Sequence, residues 1–218
     1  MIAFRSQINY LHKDFTTSAS LSHAIYGVVL LIMPIQPVHG LVQKTMKTLS
    51  SETVYKGKVF DVRRDRVADS GVEYDRDIVV HSGSCVIVAV YPDNTVALVR
   101  QYRHAAQMHL LELPAGTLEP DEDALEGAKR ELEEEVGVTA KDWKKLCEFY
   151  VSPGFLTEKM YVYMASDLTE TAQALEDDEI LTVERIPIKN AILMSQEGQI
   201  QDAKTIVGIM FADRMLSN

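Results

Sequence analysis

Apolar residues recur at strand spacing over residues 53–103 and switch to helical spacing near residue 123. In residues 53–67 the β-branched and aromatic positions Val54, Tyr55, Val59, Phe60 and Val62 alternate roughly, and residues 73–81 continue beyond an Asp69-Ser70-Gly71 turn. Together they predict a small antiparallel unit. Residues 84–91, SCVIVAVY, are nearly continuously apolar, as a central strand covered on both faces requires. A Pro92-Asp93-Asn94 turn follows, then a returning strand over Thr95–Arg103 and a short one at 110–114.

From residue 123 to 136 the period becomes 3.6. Leu125, Ala128, Leu132 and Val136 form one apolar stripe that should face a core. Pro120, Asp121 and Glu122 suit a helix start, and Gly137 stands where a helix C-terminus favours glycine. Residues 143–151 and 159–165 read as strands around a loop at 152–158. An acidic loop (168–179), a strand (181–186), a helix (Ile188–Gln196) and a closing amphipathic helix (202–216) complete the pattern. There is no internal repeat and no second core. The order predicts a mixed sheet with helices on both faces.

Residues 1–45 stand outside this pattern. Residues 1–21 are polar with one acid, Asp14, and residues 24–35 (AIYGVVLLIMPI) are apolar. That run is shorter than the ~20 residues a bilayer span needs, and no A-x-A cleavage site follows it. A targeting segment and a signal h-region are alternatives. The reading adopted is a natural start at Met46, with 1–45 a poorly ordered or non-native extension and 46–218 one domain, in which 46–81 form the N-terminal β unit.

Composition narrows the function classes. The chain has 218 residues, a net charge of −10 and no basic patch, so long nucleic acid is not expected as a partner, and neither is a membrane. Cys85 and Cys147 lie in strands without metal-ligand spacing, which fits buried thiols in a reducing, cytoplasmic setting. On the helix, Glu131 and Glu135 project from one flank of the apolar stripe with Glu134 one step round, while Glu126 and Glu133 point to solvent. Such like charges repel at helical spacing. A divalent cation would turn the repulsion into ligation.

Residues 116–138 read Gly116, five residues, Glu122, seven residues, then Arg130-Glu131-Leu132-Glu133-Glu134-Glu135-Val136-Gly137-Val138. All nine specified positions of the Nudix box, G-x5-E-x7-R-E-U-x-E-E-x-G-U, are met. From about residue 51 onward the chain therefore resembles the Nudix hydrolases. The resemblance implies an α/β/α sandwich with a mixed sheet, preceded here by the small antiparallel N-terminal sheet. It also implies metal-dependent cleavage of a nucleoside diphosphate derivative.

Three features resemble the ADP-ribose pyrophosphatase group. Pro153 lies sixteen residues beyond Gly137, in the segment Ser-Pro-Gly-Phe-Leu-Thr-Glu. Val99-Arg100-Gln101-Tyr102-Arg103 is similar to that group's V-x-Q-x-R strand, and Leu111-Glu112-Leu113-Pro114-Ala115-Gly116 to its lead-in. The resemblance implies Mg²⁺, with Mn²⁺ as a substitute, held by Glu131, Glu134, Glu135 and the Ala115 carbonyl. Arg130 would orient the catalytic glutamates. Arg103 would hold a phosphate, with Glu112, Phe60 and Arg63 as further substrate contacts. A proton acceptor is expected at Glu176, with Glu158 as rival. A small-molecule nucleotide substrate, products AMP and ribose 5-phosphate, and a homodimer with exchanged N-terminal strands complete the expectation. The alternatives are a Nudix hydrolase for ADP-glucose, GDP-mannose or a dinucleoside polyphosphate, and a non-catalytic nucleotide-binding module.

Overall fold

The computed structural model describes residues 46–175 and 179–217; the readings of residues 1–45 and of Glu176 lie outside the described residues. Its first element is a three-stranded antiparallel sheet of β1 (Lys47–Lys56), β2 (Asp61–Asp69) and β3 (Val72–Val80), in that order. The stretch expected as one strand over 53–67 is two. Gly57 N–H closes a turn onto the Phe60 carbonyl at 3.1 Å, and Tyr55 then pairs with Val62. The predicted Asp69-Ser70-Gly71 turn is a two-residue hairpin loop. Ser70 and Gly71 both take positive φ, 54° and 85°, which matches the twist of the strands it joins.

Two further sheets follow. One is antiparallel, ordered β10 (Leu181–Pro187), β5 (Thr95–Arg103), β6 (Met108–Glu112). The other is mixed, ordered β7 (Ala115–Thr117), β4 (Ser84–Ala89), β9 (Lys159–Glu170), β8 (Val138–Tyr150), with β4 and β9 parallel. The buried β4 strand explains the layering. Val86 and Val88 point into a core with Ile209 and Ala212 of α3 (Ala203–Leu216) and Ile188 and Ala191 of α2 (Ile188–Gln196). Cys85, Ile87 and Ala89 point the other way, onto Ala128 of α1 (Ala124–Glu131) and Leu132 just beyond it. Helices therefore cover both faces, and the apolar stripe of α1 is buried as its period required.

β9 runs to Glu170, so residues 168–170, expected in an acidic loop, extend the strand. They pair with residues 138–140 of β8, where Leu168 packs against the same core as Val138 and Ala140 while Thr169 and Glu170 stay exposed. Among the described residues no helix is long and apolar enough to cross a membrane.

Candidate active site

α1 begins at Asp123, whose carboxylate accepts from the Leu125 and Glu126 N–H groups at 2.9 and 3.3 Å. After Glu131 the helix widens into a π turn over Leu132–Val136 and stops at Gly137, where φ is 72°. Residues 171–174 run back along this end: Thr171 N–H bonds the Gly137 carbonyl at 2.7 Å, Ala174 N–H the Glu134 carbonyl at 3.0 Å, and the Gln173 amide the Glu135 carbonyl. The freed carbonyls of the helix end are thereby satisfied. This strap thus lies against the end of the helix that carries the box glutamates.

That face borders a cavity of about 280 Å³ lined by Gln101, Arg103, Ala115–Thr117, Glu119, Arg130, Glu131, Glu134, Glu135 and Glu179. Glu131 and Glu135 are buried, and Glu134 is partly exposed. Arg130 bridges four carboxylate contacts: both oxygens of Glu122 at 3.2 Å, Glu131 Oε1 at 2.8 Å and Glu134 Oε2 at 3.0 Å. Glu135 Oε2 accepts from Ala115 N–H at 3.0 Å. Gly116 leaves the space that Glu131 fills, since a Cβ there would lie 1.8 Å from Glu131 Oε1.

Burial pushes the Glu135 carboxyl up to about 8, reinforced by the Glu131 charge and opposed by the Ala115 N–H. Burial likewise raises Glu131, against the pull of Arg130. The Glu179 charge raises both. Acid groups crowded this way are held at a cost unless a proton or a cation neutralises them.

No three acidic, His or Cys side chains among the described residues already converge as a finished metal cage. Arg130 draws Glu131 and Glu134 to itself, and Ala115 N–H draws Glu135. The donor set nevertheless fits a hard divalent cation, which takes carboxylate and carbonyl oxygens. Three glutamates and the Ala115 backbone border one cavity, two of them buried, with protonation shifted as an uncompensated cluster requires.

A second cavity of about 200 Å³ shares Arg103 and Ala115–Thr117 with the first and adds His81, Ser84, Glu158, Met160 and Lys204. Ser84 Oγ donates to Glu158 Oε1 at 2.7 Å, and His81 Nδ1 lies 4.0 Å from the same oxygen. Glu112, expected among the substrate contacts, is instead buried and lines neither cavity, and Arg103 grips it through two 2.8 Å bonds. Phe60 packs near Tyr55 in the β1–β2 turn, and Arg63 pairs with Asp65 on β2; neither lines these cavities. Glu122 as the anchor of Arg130, and Glu179, Gln101 and Lys204 as lining residues, escaped the sequence reading. Glu122 had a fixed place in the box and Gln101 one in the V-x-Q-x-R strand, whereas no motif marked Lys204.

A NUDIX domain model matches residues 81–207. The chain belongs to the NUDIX family. The ADP-ribose pyrophosphatase of Bacillus subtilis (strain 168) is 35% identical over 168 residues, 76% of this chain and 91% of the relative. The methanol dehydrogenase activator of Bacillus methanolicus is 33% identical over the same shares of both chains. Among solved structures, one titled as an ADP compounds hydrolase superposes with a TM-score of 0.70 at 24% identity, covering 79% of this NUDIX chain and 94% of its own, which establishes a shared fold.

Proposed function

We propose that the chain is a Nudix pyrophosphohydrolase that hydrolyses ADP-ribose to AMP and ribose 5-phosphate, using Mg²⁺ with Mn²⁺ as a substitute. The observation that carries this reading is the pair of adjoining cavities, one acidic and one polar, that meet at Arg103 and Ala115–Thr117. A pyrophosphate laid across that junction has room on each side for a ribose-bearing end. The 35% identity to an ADP-ribose pyrophosphatase supports the choice of substrate. The free, buried Cys85 and the net charge of −10 support a cytoplasmic protein that binds a small nucleotide and no nucleic acid.

Glu131, Glu134, Glu135 and the Ala115 carbonyl would hold the cation, which when bound neutralises pyrophosphate charge and acidifies water. Arg130 keeps Glu131 and Glu134 aimed at the cavity. Arg103, with 41% of its side chain exposed, offers a charge-assisted pair to a phosphate oxygen. The acidic run from Glu176 to Glu179 supplies the proton acceptor for the attacking water, and Glu179 already lines the cavity. Glu158, fixed by Ser84, contacts the substrate from the second cavity.

Purified protein with Mg²⁺, assayed against ADP-ribose, ADP-glucose, GDP-mannose and a dinucleoside polyphosphate, should show its highest kcat/KM on ADP-ribose. Chromatography should show AMP as a product. A clear preference for another of these substrates would overturn the substrate and leave the chemistry standing.

A further inference from the structure

Lys204 stands in the first turn of α3, 92 positions from the carboxylate it touches. Its ammonium contacts Glu112 Oε2 and lies 3.0 Å from Asp202 Oδ1. Asp202 is itself fixed, because its other oxygen caps α3 through Thr205 N–H at 2.9 Å and Thr205 Oγ1 at 2.6 Å. Thr205 Oγ1 in turn accepts from Leu113 N–H at 2.7 Å, which ties the helix start to the strand end beside Glu112.

Two cations thus share one carboxylate, and they differ in freedom. The side chains of Glu112 and Lys204 are 1% and 10% exposed, whereas that of Arg103 is 41% exposed. Arg103 also lines both cavities, and Lys204 only the smaller. A carboxylate cut off from water needs a cation beside it throughout. With Lys204 in place, Arg103 can exchange Glu112 for a phosphate oxygen and strand nothing. With Lys204 neutralised, Arg103 would be the remaining cation on Glu112, and its release would be opposed.

We propose that Lys204 is a positioning residue: as the standing counter-ion of Glu112, it frees Arg103 to take the substrate's phosphate. This rests on Arg103 being the phosphate ligand of the proposed reaction.

The test measures binding of inorganic pyrophosphate with Mg²⁺ by calorimetry on the full chain, alongside ADP-ribose kinetics. Lys204→Met should weaken pyrophosphate binding and raise KM about 10- to 100-fold, the range for loss of one charge-assisted bond, with kcat little changed. Lys204→Arg should restore both. The double variant Glu112→Gln with Lys204→Met removes both charges and should bind pyrophosphate more tightly than Lys204→Met alone; a purely structural role would leave it weaker than either single variant. Glu112→Gln alone should bind at least as tightly as the parent. A loss of about tenfold there would mean that Glu112 orients Arg103 instead of competing for it, and the proposal falls; this arm stands even if Lys204→Met does not fold. Parental pyrophosphate affinity in a folded Lys204→Met overturns the proposal while ADP-ribose turnover stands. The expected pyrophosphate pattern without ADP-ribose turnover removes the substrate assignment alone.

Discussion

Glu112 and Glu135 are both buried carboxylates, yet their surroundings push their protonation in opposite directions. Burial alone would raise Glu112, but Arg103 and Lys204 hold it below the usual carboxylate range. Glu135 has a neighbouring glutamate where Glu112 has cations, and it rises to about 8. A depressed acid contributes stability that is complete above its unfolded value and is lost as pH falls through the folded one. The Glu112 contribution should therefore be complete down to about pH 4.5 and fall below it. Urea midpoints of the parent should thus lose more than those of Glu112→Gln on the acid limb, whereas the raised Glu135 adds stability as pH falls from about 8. An equally steep limb in the variant would remove Glu112 from the account.

Glu135→Gln keeps the size and the Ala115 contact and removes the charge offered to the cation. Its circular dichroism should be unchanged while kcat falls about a thousandfold or more, in line with the loss of one preorganised electrostatic group. Near-parental turnover in a folded variant would falsify its assignment as a ligand. Glu176→Gln should lower kcat by about 10²–10⁴ with KM little changed, the range for loss of a general base. If Glu158→Gln or Glu179→Gln carries that loss instead, the proton acceptor moves to that residue.

At the scale of elements, the helix of the box shows what a period reveals and what it hides. Leu125, Ala128, Leu132 and Val136 announced the buried stripe because burial acts on every third or fourth position. The widening after Glu131 left no such trace, since the π turn is held by backbone partners at residues 171–174 that lie far along the chain. Gly137 is where the two meet. It combines φ of 72° with a chain passing so close that a Cβ would lie 3.0 Å from the Gln173 nitrogen. Gly137→Ala should thus cost about 1–2 kcal/mol, the penalty of the left-handed region, measured by urea unfolding. A cost near zero would mean that the strap shifts freely. The β1–β2 break hid for a related reason: β-branched and aromatic residues recur on both sides of it, and Gly57 is the glycine that marks the turn.

For the whole molecule, the layered sandwich was legible because β4 is apolar from Cys85 onward and the helices that flank it are striped. The ion network of Glu112, Arg103, Lys204 and Asp202 was not, because Arg103 and Glu112 stand in separate motifs and Lys204 and Asp202 read as ordinary surface charges. Only the fold brings positions 103, 112 and 204 together. β1 leaves all ten of its residues exposed, including Leu49, Val54 and Tyr55. Among the described residues no strand pairs with its outer edge, and an edge of that kind invites another chain. A protein starting at Met46 should accordingly be an active homodimer by light scattering; a fully active monomer would end that reading.

β3 is joined to the loop that carries Glu158 by paired backbone bonds, Val79 N–H to Phe155 O at 2.8 Å and Thr157 N–H to Val79 O at 3.0 Å, and by Thr157 Oγ1, which bonds both His81 N–H and its carbonyl. The N-terminal sheet is therefore no interchangeable cassette. A chimaera that imports β1–β3 from a relative must import residues 152–158 with them, or the transplanted strand arrives without the backbone template that sets where Glu158 stands.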